Sequence, residues 1–390
     1  MRAKRTDSYD VLIVGAGVIG LACAWLAARS GLRVCVLERD RVAAGASGVA
    51  AGMLAPVGEA SWGEEALLAL NLRSLEAWDR FASELEDESG ADPGFRRSGA
   101  LYLALDRDED EALRQRLELH ERLQLESEWL RPSQCRRLEP GLATAIAGGL
   151  HAPREAAAEP RRICAALAAA LAHRGARIEL GAEVSEARFG SEATLATADG
   201  REFRAAEVVV ASGCWTGGAE WLPPEWRPPV RPVKGEILVL REPRGEPVCE
   251  RILASERVYL VPRADGRLVV GATVEERGFE TAVTAGGVHE LLREAYRLLP
   301  EIAELELEEA QAGLRPGSPD NAPLFGRAGD RGPIIATGHY RNGVLQAPVT
   351  AEAVLAALGR AEPVEEARPF GPLRFSGARK APSEMEVGAG

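Results

Sequence analysis

The feature that most constrains the fold is a glycine-rich segment near the N-terminus, within YDVLIVGAGVIGLACAWLAARSG. Four apolar residues, Val11–Val14, predict a buried parallel strand. The alanine-rich residues 21–29 predict a helix, and Gly31 is placed to end it. Between the two, the chain has a G-x-G-x-x-G pattern formed by Gly15, Gly17 and Gly20. A strand, a glycine-rich loop and a helix in this order predict a parallel α/β unit.

Each part of this unit has a physical role in binding a dinucleotide. Gly15 permits a tight turn, Gly17 lets the backbone approach a pyrophosphate, and Gly20 lets the helix pack closely on the strand. The helix N-terminus offers free N–H groups to phosphates. A second predicted strand, Val34–Leu37, ends at Glu38, whose carboxylate can accept hydrogen bonds from ribose hydroxyls. The acid disfavours a 2′-phosphate, so FAD and NAD remain as candidate cofactors.

Two segments rich in small residues favour FAD. AAGASGVAAGML, residues 43–54, is a long loop that can lie flat against a large planar ligand. An NAD-binding unit normally continues into its next helix without such a loop. AEVVVASGCWTG, residues 206–217, is a strand that runs into another small-residue turn. We therefore expect FAD.

The N-terminus resembles a targeting or membrane segment, because Arg2, Lys4 and Arg5 precede an uncharged run, Val11–Ala28. A loop explains the glycines in this run, whereas a membrane span does not. We therefore expect a cytoplasmic protein that does not cross a membrane. The net charge of −12 argues against binding of nucleic acid.

The cysteines have no metal-binding or disulfide pattern, since none forms C-x-x-C. They predict small buried thiols in a reducing compartment. They are Cys23, Cys35, Cys135, Cys164, Cys214 and Cys249.

Longer motifs make the chain similar to the D-amino acid oxidase superfamily of flavoproteins, and most closely to the glycine oxidases of thiamine biosynthesis. The resemblance runs from about Tyr9 to about Leu358. One departure is Gln346, where that branch more often has an apolar residue. The matching stretches are VGAGVIGLACAWLAARSG, GVAAGMLAP, VVVASGCWTG, PVKGE, VYLVPRADGRLVVGAT, AGLRPGSPDNAPLFG and ATGHYRNGVLQAPVTAE.

The resemblance implies a mixed α/β fold. It consists of a discontinuous Rossmann-type FAD-binding domain and a substrate domain with a large antiparallel sheet. The expected FAD-binding domain comprises residues 1–75, 150–225 and 313–370. The expected substrate-binding domain comprises residues 76–149 and 226–312, and residues 371–390 are expected to form a loosely ordered tail.

Residue patterns agree with part of this division. Residues 66–85 and 109–125 have a helical pattern. Residues 237–240, 258–262 and 267–272 predict strands, and RADGR predicts a hairpin between the last two.

The resemblance also places residues around non-covalently bound FAD, since no cysteine follows Cys249 for a covalent link. The 51–53 segment is expected beside the isoalloxazine, Val184 by the adenine half, and residues 343–345 over the ring. The full expected set is Gly15, Gly17, Val18, Ile19, Gly20, Glu38, Arg39, Ala46, Ser47, Ala51, Gly52, Met53, Val184, His339, Tyr340, Arg341, Asn342, Gly343, Val344 and Leu345.

The same resemblance implies that Arg315, in GLRPG, binds the substrate carboxylate, which a guanidinium can hold with two hydrogen bonds. Arg341, in HYRNG, has no acid close to it in the sequence and is expected beside Arg315. Tyr259 is expected to face the substrate, and Ala55 and Val274 to line a small cavity there.

The implied reaction is oxidation of glycine and of small amines such as sarcosine or D-alanine, with O2 reduced to H2O2. The chain has no Ser-His-Asp set or metal cluster, so we expect no metal and no side chain acting as acid or base. A sarcosine or D-amino acid oxidase, a D-amino acid dehydrogenase and a catalytically silent flavoprotein stay open as alternatives. The family also suggests a homotetramer.

Overall fold

The computed structural model describes residues 8–376. Its α-helices are α1 (Val18–Arg29), α2 (Glu65–Ser89), α3 (Arg107–Arg122), α4 (Pro132–Leu138), α5 (Pro160–His173), α6 (Ala285–Leu298) and α7 (Ala347–Ala357). Its strands are β1 (Ser8–Val14), β2 (Val34–Leu37), β3 (Met53–Leu54), β4 (Ala100–Ala104), β5 (Glu128–Leu130), β6 (Gly148–Ala152), β7 (Ala156–Ala157), β8 (Arg177–Glu179), β9 (Val184–Arg188), β10 (Ala193–Thr197), β11 (Glu202–Val210), β12 (Arg231–Arg241), β13 (Ile252–Ala254), β14 (Tyr259–Pro262), β15 (Arg267–Gly271), β16 (Glu306–Gly317), β17 (Leu324–Arg327) and β18 (Ile334–Thr337).

The first eight-stranded sheet contains the predicted dinucleotide-binding unit. Its main path is β17-β18-β11-β1-β2-β8, and β10 pairs with both β11 and β9. β1 lies between β11 and β2 and is parallel to both. Residues 11–14 are buried, as their unbroken apolar run predicts. This confirms the predicted strand–loop–helix–strand unit.

The predicted helix begins earlier than expected, because Gly17 is its N-cap and Val18 its first residue. Its end is as predicted: Arg29 is the last helical residue, and Gly31 follows with φ +87°. The helix is buried along nearly its whole length against α5 and α7. It therefore fixes the glycine loop at the end of β1.

The second eight-stranded sheet has the order β16-β12-β15-β14-β13-β4-β6-β5. Its neighbouring strands are antiparallel except for β13 and β4, which are parallel. The predicted hairpin is confirmed, since β14 and β15 pair across the RADGR turn. The mixed α/β fold with a large antiparallel sheet is therefore present.

The expected domain division stays a prediction, and three of its boundaries fall inside helices or strands. The boundary at 75/76 cuts α2, whose later residues Trp78, Phe81 and Leu85 pack in the core of the first sheet's helices. The boundaries at 149/150 and 312/313 cut β6 and β16. Helical periodicity alone did not show which core α2 would join.

The expected loose tail differs at its start. Leu373 packs against the core of the first sheet, and Arg374 forms an ion pair with Asp320 at 2.8 Å. Residues 377–390 of that tail lie outside the described residues. All six cysteines are buried free thiols, as predicted. Across residues 8–376, each helix is too short or too polar to span a bilayer.

Candidate active site

A cavity of about 1230 Å³ lies where the two sheets meet. The first sheet contributes residues at the carboxyl ends of β1, β2, β11 and β18, where open α/β sheets bind their ligands. The second sheet contributes residues of β12, β14, β15 and β16. The volume exceeds the roughly 300–1,000 Å³ typical of small-ligand pockets. It can therefore hold a dinucleotide together with a small substrate.

The glycine loop lines one end of this cavity. A Cβ on Gly15 would lie 2.6 Å from the carbonyl oxygen of Ala211, and one on Gly17 would lie 3.2 Å from Oγ of Ser47. The N–H of Val18 donates to that hydroxyl at 2.9 Å. A side chain at Gly15 is therefore excluded by the neighbouring backbone, and Ser47 caps the first residue of α1.

Glu38 is held at the end of β2 by backbone donors. Its carboxylate accepts from the N–H of Ala16 at 2.8 Å and from the N–H of Asp40 at 2.9 Å. Each carboxylate oxygen has lone pairs left to accept ribose hydroxyls. The position and orientation therefore suit the ribose-binding role that the sequence predicts.

Two aromatic side chains that were not predicted from the sequence, Trp215 and Phe279, lie near Glu38 and Arg39 in the cavity. The Arg39 guanidinium stands 4.1 Å from the ring centre of Trp215, and Trp215 stacks on Phe279 with centres 6.1 Å apart. All three line the cavity. Trp215 stands in the small-residue turn that was predicted to approach the ligand, which was the available signal.

The 51–53 segment is fixed from two sides. Met53 pairs with Ala157 between β3 and β7. The buried Arg263 donates to the carbonyl oxygen of Ala51 at 2.5 Å, and burial lowers the pKa of that guanidinium to about 10. Gly52 has φ +74°, and a Cβ there would lie 1.9 Å from the carbonyl oxygen of Ala158. Any residue with a Cβ is therefore excluded at position 52.

His339 is buried in the wall of the cavity. Its Nε2 lies 3.0 Å from Oγ1 of Thr350, and burial lowers the pKa of the imidazole to about 3. The ring is therefore neutral at physiological pH. The low pKa makes this imidazole a weak proton acceptor.

The predicted residues converge on the cavity with two exceptions. A Cβ on Gly20 would lie 2.0 Å from the carbonyl oxygen of Gly15, so Gly20 is a packing residue rather than a lining one. The carbonyl oxygen of Leu345 accepts from Ser74 at 2.7 Å and from Trp78 at 2.9 Å, which anchors the 338–345 loop from behind. The residues that do line the cavity are Gly15, Gly17, Val18, Ile19, Glu38, Arg39, Ala46, Ser47, Ala51, Gly52, Met53, Ala55, Val184, Tyr259, Val274, Arg315, His339, Tyr340, Arg341, Asn342, Gly343 and Val344.

Arg315 stands on β16 of the second sheet, and its guanidinium lies over Gly235 of the neighbouring strand β12. Its Nη1 donates to the carbonyl oxygens of Lys234 at 3.2 Å and Thr273 at 3.1 Å, and its guanidinium hydrogen-bonds the hydroxyl of Tyr259. Within residues 8–376, no carboxylate forms an ion pair with Arg315. The guanidinium is thus oriented by neutral groups, and its charge is available to an anion.

Lys234 supports this arrangement, because its carbonyl oxygen accepts a hydrogen bond from Arg315. It is fully buried, and its Nζ lies 2.7 Å from Glu236 and 3.5 Å from Glu275. The hydrogen bond that the ammonium donates to Glu236 raises the pKa of Lys234. The rare lysine of PVKGE is therefore a structural residue that does not line the cavity.

Two glycines leave the space that Arg315 and Tyr259 occupy. A Cβ on Gly235 would lie 2.2 Å from Nη1 of Arg315, and one on Gly271 would lie 2.5 Å from the Tyr259 ring. Neither glycine was singled out from the sequence. The available signal was the motif PVKGE, in which Gly235 follows Lys234.

We expect Gly235→Ala to displace the Arg315 guanidinium and to weaken binding of small carboxylates about tenfold or more, because an off-position charge loses one arm of a bidentate contact. The measurement is a titration of the flavin-bound protein with glycolate, followed by absorbance. Gly286→Ala is the control, since a Cβ there meets nothing within 4 Å and the residue does not line the cavity. Equal affinities in both variants would contradict the prediction.

Arg341 corrects a sequence-based expectation. No acid stands near it in the sequence, but its Nη2 lies 3.1 Å from Oε1 of Glu59 in the structure. Both side chains line the cavity, and the arginine side chain remains 47% exposed. Arg341 therefore has a partner of its own within the chain. A substrate carboxylate at Arg341 would therefore share the guanidinium with Glu59.

A buried carboxyl group lies directly behind this region. Glu155 is fully buried and accepts from the hydroxyl of Tyr102 at 2.5 Å and from the N–H of Gly58 at 2.6 Å. Burial raises the pKa of Glu155 to about 7, although these hydrogen bonds oppose the shift. No pattern in the sequence indicated this group.

The raised pKa of Glu155 predicts a pH-dependent stability. The folded state binds the proton more tightly than the unfolded state does, so the free energy of unfolding falls as pH rises from about 4.5 to about 7. The loss is at most about 3 kcal/mol. Glu155→Gln should therefore gain stability relative to the wild type at pH 8 but not at pH 4.5, measured as Tm at saturating FAD. The same Tm difference at both pH values would contradict this.

The comparisons with known proteins agree with this geometry. The FAD dependent oxidoreductase family (DAO) matches residues 10–357. A glycine oxidase from Geobacillus kaustophilus is 34% identical over 378 residues, which cover 95% of this chain and 98% of that protein. A putative thiamine biosynthesis oxidoreductase ThiO from Rhizobium etli is 35% identical, over 87% of this chain and 94% of that protein.

Solved structures show the same relationship. The crystal structure of the Geobacillus kaustophilus glycine oxidase superposes with a TM-score of 0.88 at 35% sequence identity, covering 95% of this chain and 99% of that one. The family match spans both sheets and the cavity between them, and the glycine loop, Glu38 and the 51–53 segment suit its cofactor. The chain therefore belongs to the DAO family of FAD-dependent oxidoreductases.

Proposed function

We propose that this protein is an oxidase that removes hydride from the α-carbon of glycine and of small amines such as sarcosine or D-alanine. The observation that carries this proposal is Arg315, a guanidinium without a carboxylate partner in residues 8–376 that lies in the same cavity as the FAD-binding loop. A cation held by neutral groups at the inner wall of a cavity suits a small carboxylate. The names of the similar glycine oxidases support the same substrate class.

The protein's part in this reaction is to bind and orient. Arg315 would hold the substrate carboxylate with two parallel hydrogen bonds, and the hydroxyl of Tyr259 would fix the guanidinium. Arg341 would contribute a second contact while it stays paired with Glu59. When bound, FAD would supply the redox chemistry of this reaction, with O2 as the final electron acceptor. His339 is neutral and buried, so it contributes polarity rather than proton transfer.

The product would be an imine, which hydrolyses to glyoxylate and ammonia or enters the synthesis of the thiamine thiazole. The name of the Rhizobium etli relative supports the second route. We also propose a cytoplasmic location and a homo-oligomeric assembly, both by analogy with this family.

The decisive experiment is an anaerobic screen of flavin reduction with glycine, sarcosine, D-alanine and D-proline, followed by peroxide measurement in air. Glycine or a small relative should bleach the flavin, and air should restore the colour with one H2O2 per turnover. Dye reduction with little peroxide would instead support a D-amino acid dehydrogenase. If no small amino acid bleaches the flavin, the oxidase proposal is wrong and a silent flavoprotein is supported.

We expect FAD to be bound without a covalent link. Cys214 is the one cysteine among the residues that line the cavity, and burial raises the pKa of its thiol to about 12, which disfavours the nucleophilic thiolate. Acid precipitation should release all of the yellow colour into the supernatant. Yellow colour that stays with the precipitated protein would show a covalent bond.

A further inference from the structure

One wall of the substrate end is a short segment without helix or strand, residues 55–60. Ala55, Gly58, Glu59 and Ala60 of this segment line the cavity. Glu59 brings the segment to the substrate-binding residues, because its carboxylate pairs with Arg341 at 3.1 Å. Small side chains limit the size of a substrate only where the backbone that carries them is fixed. The contacts that fix this backbone therefore affect which substrate sizes the cavity accepts.

The carboxyl group of Glu155 is the main polar anchor of the segment. Glu155 stands in the connection between β6 and β7, and one of its oxygens accepts from the N–H of Gly58 at 2.6 Å. The N–H of Val57 forms a further hydrogen bond with the same carboxyl group. Two successive backbone donors of the wall thus end on one buried side chain.

Tyr102 couples this anchor to the second sheet. Its hydroxyl donates to the other oxygen of Glu155 at 2.5 Å, and its ring stands on β4. A Cβ on Gly58 would lie 1.7 Å from that hydroxyl oxygen, so the wall rests directly on the tip of the tyrosine. Glu155 therefore holds the wall and its support together.

An ion pair does not explain the buried carboxyl group of Glu155. Glu155 is fully buried, and within residues 8–376 no basic side chain forms a salt bridge with it. A buried carboxyl group without a cation destabilises a fold relative to an apolar group of similar size. A role in fixing the wall explains why such a group occupies this place.

We propose that Glu155 is a positioning residue that sets substrate-size selectivity by holding residues 55–60 against the substrate. The proposal rests on the proposed function only in that a small carboxylate binds at Arg315. Glu155 itself does not line the cavity and acts through Gly58, Glu59 and Tyr102.

The test compares Glu155→Ala and Tyr102→Phe with the wild type, all as FAD-bound proteins. The probes are glycolate and the bulkier 2-hydroxyisovalerate, whose dissociation constants are read from flavin absorbance. Hydrogen exchange of the amides of residues 57 and 58 is a second readout that needs no turnover. Tyr102 also lines the cavity, and Tyr102→Phe removes one arm of the anchor but keeps the ring, so it decides the outcome if Glu155→Ala does not fold.

The matched control is Glu139→Ala. Glu139 is also buried and also anchors backbone, accepting from the N–H groups of Arg251 at 2.9 Å and Glu250 at 3.2 Å. It does not line the cavity. This variant separates a general loss of stability from a loss of selectivity.

We expect the wild type to favour glycolate strongly, and both test variants to reduce that preference about tenfold or more while exchange at residues 57 and 58 rises. The control should lower Tm and leave the preference unchanged. An unchanged preference in both test variants, or a wild type that binds neither acid, overturns the proposal. If the preference shifts but no amine bleaches the flavin, the wall role stands and the oxidase proposal fails.

Discussion

Arg315→Ala is expected to lower kcat/KM for glycine by about 10²- to 10³-fold. Removing one partner of a desolvated charge pair typically costs about 2–5 kcal/mol, and each 1.4 kcal/mol is a factor of ten. Arg315 suits this estimate because its orientation comes from two backbone carbonyls and Tyr259, with no carboxylate of the chain competing for it in residues 8–376. Stopped-flow reduction of the bound flavin at varied glycine concentration measures the effect.

Two further variants test the cause of the loss. Arg315→Lys keeps the charge but not the planar fork, so it should recover only part of the lost rate. Arg241→Ala removes an arginine of β12 that pairs with Glu308 outside the cavity, and it should leave kcat/KM unchanged. If glycine reduces the flavin equally well in Arg315→Ala and the wild type, Arg315 does not bind the carboxylate.

Gly20→Ala is expected to weaken FAD binding more than a hundredfold. The added Cβ would lie 2.0 Å from the carbonyl oxygen of Gly15, which is backbone and cannot turn aside. Relieving the overlap must move α1 away from β1, at about 3 kcal/mol or more, and this moves the phosphate-binding loop with it. The bound FAD, measured from the 450 nm to 280 nm absorbance ratio after desalting, should fall to a small fraction of the wild-type value.

The control separates this steric effect from helix propensity. Gly286→Ala makes the same change in α6, where a Cβ meets nothing within 4 Å. Alanine favours a helix over glycine by up to about 1 kcal/mol, so this variant should be neutral or slightly more stable, with full FAD content. Full FAD content in Gly20→Ala would contradict the packing role of Gly20.

The first sheet and its ligand were predictable because their determinants are local. Residues 11–14, the glycine pattern and Glu38 lie within one short stretch, and each needs only its neighbours to form a strand, a turn or a helix start. The same holds for the hairpin of β14 and β15, whose turn residues are contiguous. The domain boundaries stay a prediction, because a helical pattern does not show which of two cores a helix such as α2 will join.

The surroundings of the two arginines depended on contacts between distant segments. Arg341 has no acidic neighbour in its own loop, yet it forms an ion pair with Glu59, which is distant in the sequence. The space for Arg315 comes from Gly235 on a neighbouring strand, and strand register decides that pairing. Glu155 was not visible from the sequence at all, since its partners Gly58 and Tyr102 come from two other segments.

The sequence by itself determined the dinucleotide-binding unit, the hairpin and the residue types available to bind a carboxylate, because hydrophobic periodicity and turn chemistry act over a few residues. Only the tertiary structure decided which charges are paired, which glycines make room and which buried acid holds the cavity wall. Those properties arise where segments far apart in the sequence line one cavity, and short-range patterns carry no information about such contacts.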